Sequence, residues 1–516
     1  MTDCTNHAAV TKNKYPNRTQ FPVCWGRIVC YVLFYLFYLW MAWQIPYTHD
    51  DWDWGLDIGL TQLFYATINS RYAGNALVVI MTRSVFLKTV IMGSTYFLIP
   101  YCLTRLTCSQ NQASKNHDVA VFLLCNILLL TQKKALLAQT YNWVSGFANF
   151  GISILFLLIW VKEVLLFFSN DPAEDQSDVK KMILIATFAV CGNLFLENIA
   201  IYTVILGVVL CAWSMIRDRK VSKRLIAMTC GALIGLYIMF SSDIYQSLFS
   251  EGTTIGGYRE IPMVSFNSTF DVIVHILSRI LVLGVRIYAD NFVICIMILA
   301  MLTYLLHHSR SACSRLVIVN LVISCSLILC QIYDLMCTDH SQLIYLYDFL
   351  VSFAFFAAVS IEILLLFRSE KKLLQQLYAI WLSAPLLIAP LVATTEIGHR
   401  LFLTSNVLLI LVSIMLLEQI RLRISVRISS QLIRICSACV AVILLINGFT
   451  YGQIGACKRE RDAIIAESVQ SNEKVITLPS YPYADRLTSP NPTQQMRVDY
   501  FKQFYGIPDE VTVQFE

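Results

Sequence analysis

Apolar runs recur along almost the whole chain, at 27–46, 85–104, 118–131, 147–167, 182–196, 199–216, 225–240, 290–306, 316–333, 344–367, 374–392, 402–417 and 435–450. A helix crosses a hydrocarbon core of about 30 Å in roughly 20 residues; several of these runs are short for that, so a span could be gained or lost. In lipid every backbone N–H and C=O must be satisfied within its own segment, so such runs become helices. The pattern predicts an all-α polytopic membrane protein of about thirteen spans. Composition agrees. Apolar side chains make up 57% of the 516 residues and charged ones 14%, against about a quarter charged in soluble domains. An ordinary soluble enzyme is thereby excluded. The stretch 182–216 reads either as a hairpin turning at Glu197 and Asn198 or as one long helix.

Basic residues sort the loops. Arg105, Lys115, Lys180, Lys181, Arg217, Arg219, Lys220, Lys223, Arg224, Arg310, Arg315, Arg368, Lys371, Lys372, Arg421, Arg423, Arg427 and Arg434 fall in alternate connections. Basic residues collect on the cytoplasmic side, so the order implies a cytoplasmic N-terminal segment, 1–26, a membrane domain, 27–450, and an outer tail, 451–516. The net charge of +5 is explained by these loops and calls for no nucleic acid. The first run is too long for a cleavable signal and is expected to stay as an anchor. Most of the 17 cysteines lie inside apolar runs, where Cys behaves as a small hydrophobe. The CxxC from Cys436 to Cys439 stands alone, without a second pair or a nearby His. In the tail, Lys458 to Glu473 starts as a charged helix, Val475 to Leu478 reads as a strand, and Val511 to Phe515 alternates. This tail is too small for a catalytic domain and reads as a cap.

Polar chemistry gathers on the outer side. Directly after the first run come His49, Asp50, Asp51, Trp52, Asp53 and Trp54. Trp and Tyr favour the headgroup level, but an aromatic belt has no need of adjacent acids. Neighbouring carboxylates repel, and that crowding raises the proton affinity of a base. Within the same outer loop, 47–84, apolar residues at helical spacing interrupted by Asn69, Arg71, Asn75 and Arg83 suggest interfacial helices. Arg71 beside a Gly turn offers a guanidinium to a phosphate; snorkelling to the interface accounts for it as well. Arg400 follows Pro385 and Pro390 in a broken span, and a charge at membrane depth is costly unless paired or facing a water-filled cavity. Arg259 is a further cation, Glu197 and Glu396 are acids that act on substrate or as counter-ions, and His49, His399, Lys133, Lys134, Tyr141 and Trp143 complete the outer set. Phosphate loops, dinucleotide fingerprints and hydrolase or metalloprotease motifs do not occur.

With an acidic pair after the first span and interfacial helices in the same loop, the chain resembles the GT-C superfamily of membrane glycosyltransferases. The closer likeness is to bacterial members that decorate surface polysaccharides such as O-antigen: Arg71 to Asn75 resembles their RYxGN-like segment, and Glu396 to Arg400 their late E…R motif. The likeness covers the span pattern of nearly the whole chain, without the large soluble domain or WWD signature of oligosaccharyltransferases. It implies a polyprenyl-phosphate-linked sugar as donor, a glycan or lipid-glycan hydroxyl as acceptor, and inverting transfer on the outer face of a plasma membrane. Asp50 or Asp51 would be the general base. Arg400, Arg259 and Arg71 would hold the leaving phosphate, with Glu396, Glu197, His49, Asp53, Trp52 and Asn75 binding substrate. A divalent cation at Asp50 and Asp51 is an open option. Two other classes handle lipid-linked sugars. A polymerase or ligase would centre on loop arginines without the acidic pair; a transporter or flippase would carry ionisable residues mid-span and internal repeats.

Overall fold

The computed structural model describes residues 25–108, 115–169, 179–253, 260–264, 266, 268–309, 314–336, 342–394, 397–423 and 427–516. Arg259 and Glu396 lie outside them. The first helix, α1 (Trp25–Gln44), leads into three short helices, α2 (Asp51–Gly55), α3 (Asp57–Tyr65) and α4 (Tyr72–Arg83), so the first loop is helical as its spacing predicts. Two long helices follow, α5 (Val85–Cys108) and α6 (Lys115–Leu130), then the short α7 (Lys134–Gln139) and α8 (Val144–Gly146). A π-helical turn at Phe147–Gly151 opens α9 (Ile152–Ser169). Next come α10 (Val179–Gly192), α11 (Glu197–Asp218), α12 (Lys223–Phe240) and α13 (Asp243–Glu251). The stretch 182–216 is therefore a hairpin, with the new helix starting at Glu197. The remaining helices are α14 (Thr269–Tyr288), α15 (Phe292–His307), α16 (Ser314–Met336), α17 (Gln342–Phe367), α18 (Lys371–Ile388), α19 (Leu403–Arg423) and α20 (Arg427–Gln470).

Among the described residues, eleven helical segments are long and apolar enough to cross a membrane, where thirteen spans were expected. The difference is one of length. The runs at 118–131 and 182–196 form α6, with 16 residues, and α10, with 14, which at 1.5 Å per residue reach only about 24 and 21 Å. A second difference lies in 241–289, expected as loop: it holds the 20-residue α14. Polar residues at Asp271, His275, Ser278 and Arg279 interrupt its apolar run, while Phe270, Ile273, Val274, Leu277 and Ile280 recur at helical spacing on its exposed side. That is amphipathicity rather than continuous hydrophobicity.

Exposed Ile, Leu, Val and Phe cover the outer faces of the long helices, a surface that suits lipid and not water. The centre is α19, whose side chains from Leu403 to Leu417 are all buried. At its start, amides link three elements: Asn291 Nδ2 donates to Asn406 Oδ1 at 2.8 Å, and Asn406 Nδ2 donates to Gln132 Oε1 at 2.8 Å.

The tail departs in one respect from expectation: the charged segment from Lys458 is no separate helix but the continuation of α20, 44 residues in all. At about 66 Å this helix outruns a bilayer and carries the tail on its far part. The strand β1 (Val475–Leu478) pairs in parallel with β2 (Thr512–Phe515), Val475 opposite Thr512 and Leu478 opposite Phe515, and α21 (Gln495–Tyr505) forms the crossover. Contacts fix the tail against the 134–143 segment. Tyr451 Oη donates to Asn142 Oδ1 at 2.7 Å, Asn142 Nδ2 to the Arg486 carbonyl at 2.9 Å, and Thr488 Oγ1 to the Ala138 carbonyl at 2.8 Å.

Breaking the amide chain at its middle leaves buried partners unsatisfied, each at about 1–3 kcal/mol. Asn406→Ala should therefore lower the thermal unfolding midpoint of the purified protein more than Ser413→Ala, whose hydroxyl bonds only within its own helix. Equal midpoints would remove the linkage.

Candidate functional site

Asp50, Asp51 and Asp53 of the first loop meet three different environments. Asp51 is fully buried, and donors reach both of its oxygens. The Thr48 N–H donates to Oδ2 at 2.9 Å, while the Ser145 N–H and hydroxyl donate to Oδ1 at 2.8 and 2.6 Å. It fastens the start of α2 to the start of α8. Asp53 accepts from Arg497 Nη1 at 2.8 Å and from Gln62 Nε2 at 3.3 Å, joining the loop to α21. Asp50 accepts from the Trp143 indole N–H at 2.9 Å and keeps 22% of its side chain exposed. His49 holds a left-handed φ of 57°, and its Nδ1 stands 3.7 Å from Asp50 Oδ1.

These environments separate the proton affinities. Burial and the neighbouring Asp50 charge push Asp51 up to about 7, against the donors from Ser145 and Thr48. Burial and Asp50 likewise raise Asp53 to about 6, while Arg497 opposes. The packing around Asp50 would raise it, but His49 and Arg497 outweigh that and hold it below the usual aspartate range. The carboxylate that stays ionised most readily is thus the partly exposed one.

Aromatic faces draw the cations in. The Arg400 guanidinium lies over the Trp143 ring at 5.5 Å and over Phe150 at 5.9 Å, and that of Arg71 over Phe150 at 5.6 Å. Asp50 and Arg400 therefore stand on one indole, and Arg400 and Arg71 share one phenyl ring. Phe150 reaches this point from the π-helical turn, the kind of local widening that helices place at functional sites. Arg71 is held by Glu197, with Nε to Oε1 at 3.0 Å and Nη2 to Oε2 at 2.8 Å, and Tyr245 Oη also donates to Glu197. The Arg400 N–H donates to Gln139 Oε1 at 3.2 Å. Arg71, Glu197, Asn198, Tyr245 and Arg400 line a cavity of about 210 Å³ whose other wall is apolar, including Phe240, Phe249 and Leu391.

The remaining residues of the sequence reading take structural places. Trp52 is buried edge-on against Phe501 of α21, centroids 5.3 Å apart, so its face is closed to a sugar. Asn75 Nδ2 donates to Asn69 Oδ1 at 3.0 Å, and the same oxygen accepts the Arg71 N–H at 3.0 Å; Asn75 shapes the turn that presents Arg71. Gly74 lets Asn149 approach, since a Cβ there would displace the Asn149 amide. A cation shared by Asp50 and Asp51 does not fit: the oxygens of Asp51 face N–H and O–H donors, which repel a metal ion. Among the described residues no group of three or more His, Cys, Asp and Glu side chains is arranged to hold one.

Ser145, Phe150, Arg497 and Tyr245 belong to the site and were not singled out from the sequence. Each is an ordinary residue in an ordinary run, and only its tertiary partner marks it. Comparisons with known protein families, with curated proteins and with solved structures found no match.

The Asp51 environment gives a test with a sign. An acid whose folded pKa is raised contributes stability that is present below its unfolded pKa and lost as pH rises through the folded one. For Asp51 the window runs from the ordinary value of 3.8 to about 7. Unfolding midpoints should fall across that window, and fall less in Asp51→Asn. Asp51→Ala, which strands three donors, should destabilise by about 3 kcal/mol and Asp50→Ala by far less. The reverse ranking would overturn the division of roles.

Proposed function

We propose that this chain is an integral membrane glycosyltransferase of the GT-C kind, moving a sugar from a polyprenyl-phosphate donor to a hydroxyl of a cell-envelope glycan or lipid-linked glycan. The observation that carries the reading is the shared indole: a carboxylate held ionised at the N–H edge of Trp143 and a guanidinium over its ring. The donor phosphate lies between Arg400 and Arg71, where two planar cations meet its growing charge. Glu197 orients Arg71 and offsets part of its charge, so the leaving phosphate is not held too tightly. The sugar reaches along Trp143 toward Asp50.

Transfer then needs little else. Asp50 accepts the proton of the acceptor hydroxyl, the acceptor oxygen bonds to the anomeric carbon from the face opposite the phosphate, and the carbon–oxygen bond to phosphate breaks with its electron pair leaving on the lipid phosphate. The configuration inverts. His49 supports the ionised carboxylate. Asp51, which the sequence made an equal candidate for the base, serves as the anchor of the loop.

In this reading α6 and α10 also cross, which gives thirteen spans. The basic loops face the cytoplasm of a bacterial plasma membrane, and the site and tail face outward. Asp485, half exposed in its pair with Lys134, reports the side: Asp485→Cys, in a background without other accessible cysteines, should react with an impermeant thiol reagent on intact cells. Protection until permeabilisation would reverse the orientation.

Purified protein with a polyprenyl-phosphate sugar tests the chemistry. Loss of general-base assistance lowers rate by about 10² to 10⁴, so Asp50→Asn should lose transfer by that factor while folding normally. Arg400→Lys keeps the charge but loses the planar fork and should reduce transfer more than expression. Unchanged transfer in Asp50→Asn would remove the assignment.

A further inference from the structure

The cavity beside Arg400 is not alone at this end of the bundle. Another runs down α17. Tyr345 and Asp348 line a polar cavity of about 120 Å³ together with Arg286, Asp290, Asp334 and His399. One to three turns deeper, Phe349, Ser352, Phe353 and Phe356 line an apolar groove of about 430 Å³ against Ile280, Leu283 and Ile287 of α14 and Pro385 and Ile388 of α18. Positions 345, 348, 349, 352 and 356 are spaced by one, three or four residues, so they occupy one face of the helix. A polar chamber is stacked on an apolar one along a single stripe.

Three details point to an amphiphile. The groove opens sideways, since Phe353 at its edge is 59% exposed on the lipid-facing surface. At the neck between the two chambers, the hydroxyls of Tyr288 and Ser352 are buried, with residue exposures of 4% and 1%, and neither has a hydrogen-bond partner among the described residues. A plain hydrocarbon would leave both orphaned, which is unfavourable for a buried donor, whereas a lipid's linkage oxygen at the neck would satisfy them. The upper chamber is neither cationic nor anionic throughout. Lys133 bridges Asp290 at 2.6 Å and Asp334 at 3.5 Å, His399 Nδ1 lies 3.7 Å from Asp290, and Arg286 Nη1 donates to the Ile397 carbonyl. Fixed carboxylates, with Gln331 and Tyr345 beside them, suit sugar hydroxyls better than a bare phosphate.

We propose that this trough binds a lipid-anchored saccharide, with its chain in the α14–α17–α18 groove, its linkage oxygens at Tyr288 and Ser352, and its sugar beneath His399. Resting on the transferase reading, this makes the acceptor a lipid-linked glycan rather than a soluble polysaccharide. The two cavities share a wall: His399 lines one and the next residue, Arg400, the other. Donor and acceptor thus enter from opposite sides of one short turn.

The probe is a dodecyl maltoside carrying a photoreactive diazirine in its chain, added without any donor to protein in phosphatidylcholine nanodiscs. Saturable crosslinking to α14 and α17 is expected, displaced by unlabelled dodecyl maltoside and not by dodecylphosphocholine or maltose. Filling the neck excludes several methylenes at about 0.8 kcal/mol each, so Ser352→Leu should weaken labelling at least about tenfold; Asp348→Asn should weaken the preference for the maltoside head. Gly284→Leu, which crowds the Phe349 ring 2.9 Å from its Cβ position, gives a second block from the α14 side. Non-saturable labelling, equal displacement by dodecylphosphocholine, or undiminished labelling in both blocking variants would overturn the proposal. Transfer plays no part in the readout, so a failure here is separate from a failure of the transferase reading.

Discussion

A buried carboxylate holds the functional end of this molecule together. Asp51 has no exposed surface and receives three hydrogen bonds, one from its own turn and two from Ser145, 94 residues further along the chain. An acid taken out of water is tolerable only if its oxygens are so occupied. Once they are, the position of α2 relative to the corner between α7 and α9 is fixed. Asp50, one residue earlier, is displaced toward solvent by the left-handed turn at His49. Adjacent identical residues thereby acquire opposite tasks: one is consumed by the fold, and the other keeps an accessible basic oxygen. Their mutual repulsion sharpens the contrast, since the charge on Asp50 helps to keep Asp51 protonated, and separation of proton affinities between neighbouring acids is a recurrent way of assigning acid and base roles.

The cations follow from a second constraint, the cost of charge near a low-dielectric slab. Arg71 and Arg400 come from opposite ends of the sequence, yet each lies on the face of Phe150. An aromatic face attracts a guanidinium without a full counter-charge, and Arg is less strongly hydrated than Lys. Two such groups are therefore brought to one ring, Arg71 with Glu197 as its counter-charge. Glu197 holds Arg71 with its fork occupied along one edge. Its place at the first turn of α11 also favours a negative side chain, because the start of a helix carries partial positive charge.

Much of this architecture was legible from local pattern. Continuous apolar runs mark buried or lipid-facing helices, and the alternation at 475–478 and 511–515 marked the two paired strands to within a residue. Pattern failed where the physics was non-local. Segment 269–288 mixes charge with hydrophobicity and becomes visible as a helix only when the apolar face is considered apart from the polar one. The runs at 118–131 and 182–196 carry the right chemistry but lack length. The acid-rich loop was recognisable as special because crowded carboxylates are expensive. Which acid would be buried depended on Ser145 and Arg497, and nothing in their own neighbourhoods distinguishes those residues. Trp52 illustrates the same limit: its composition suits sugar stacking, but Phe501 occupies its side.

The tail is the least independent part of the molecule, and that dependence runs in both directions. A two-stranded sheet is marginal alone, and β1 and β2 acquire a core only through α21 and the residues it meets. Phe501 packs on Trp52, Phe504 on Tyr47 at 5.3 Å, and Arg497 on Asp53. Conversely, without Arg497 the buried Asp53 would face Asp50 with no compensating cation, and both carboxylates would bind protons more tightly. A base must be ionised to accept a proton. In the proposed transferase reading the tail therefore acts on Asp50 without touching it, through a charge on α21 and through the packing that keeps the first loop docked.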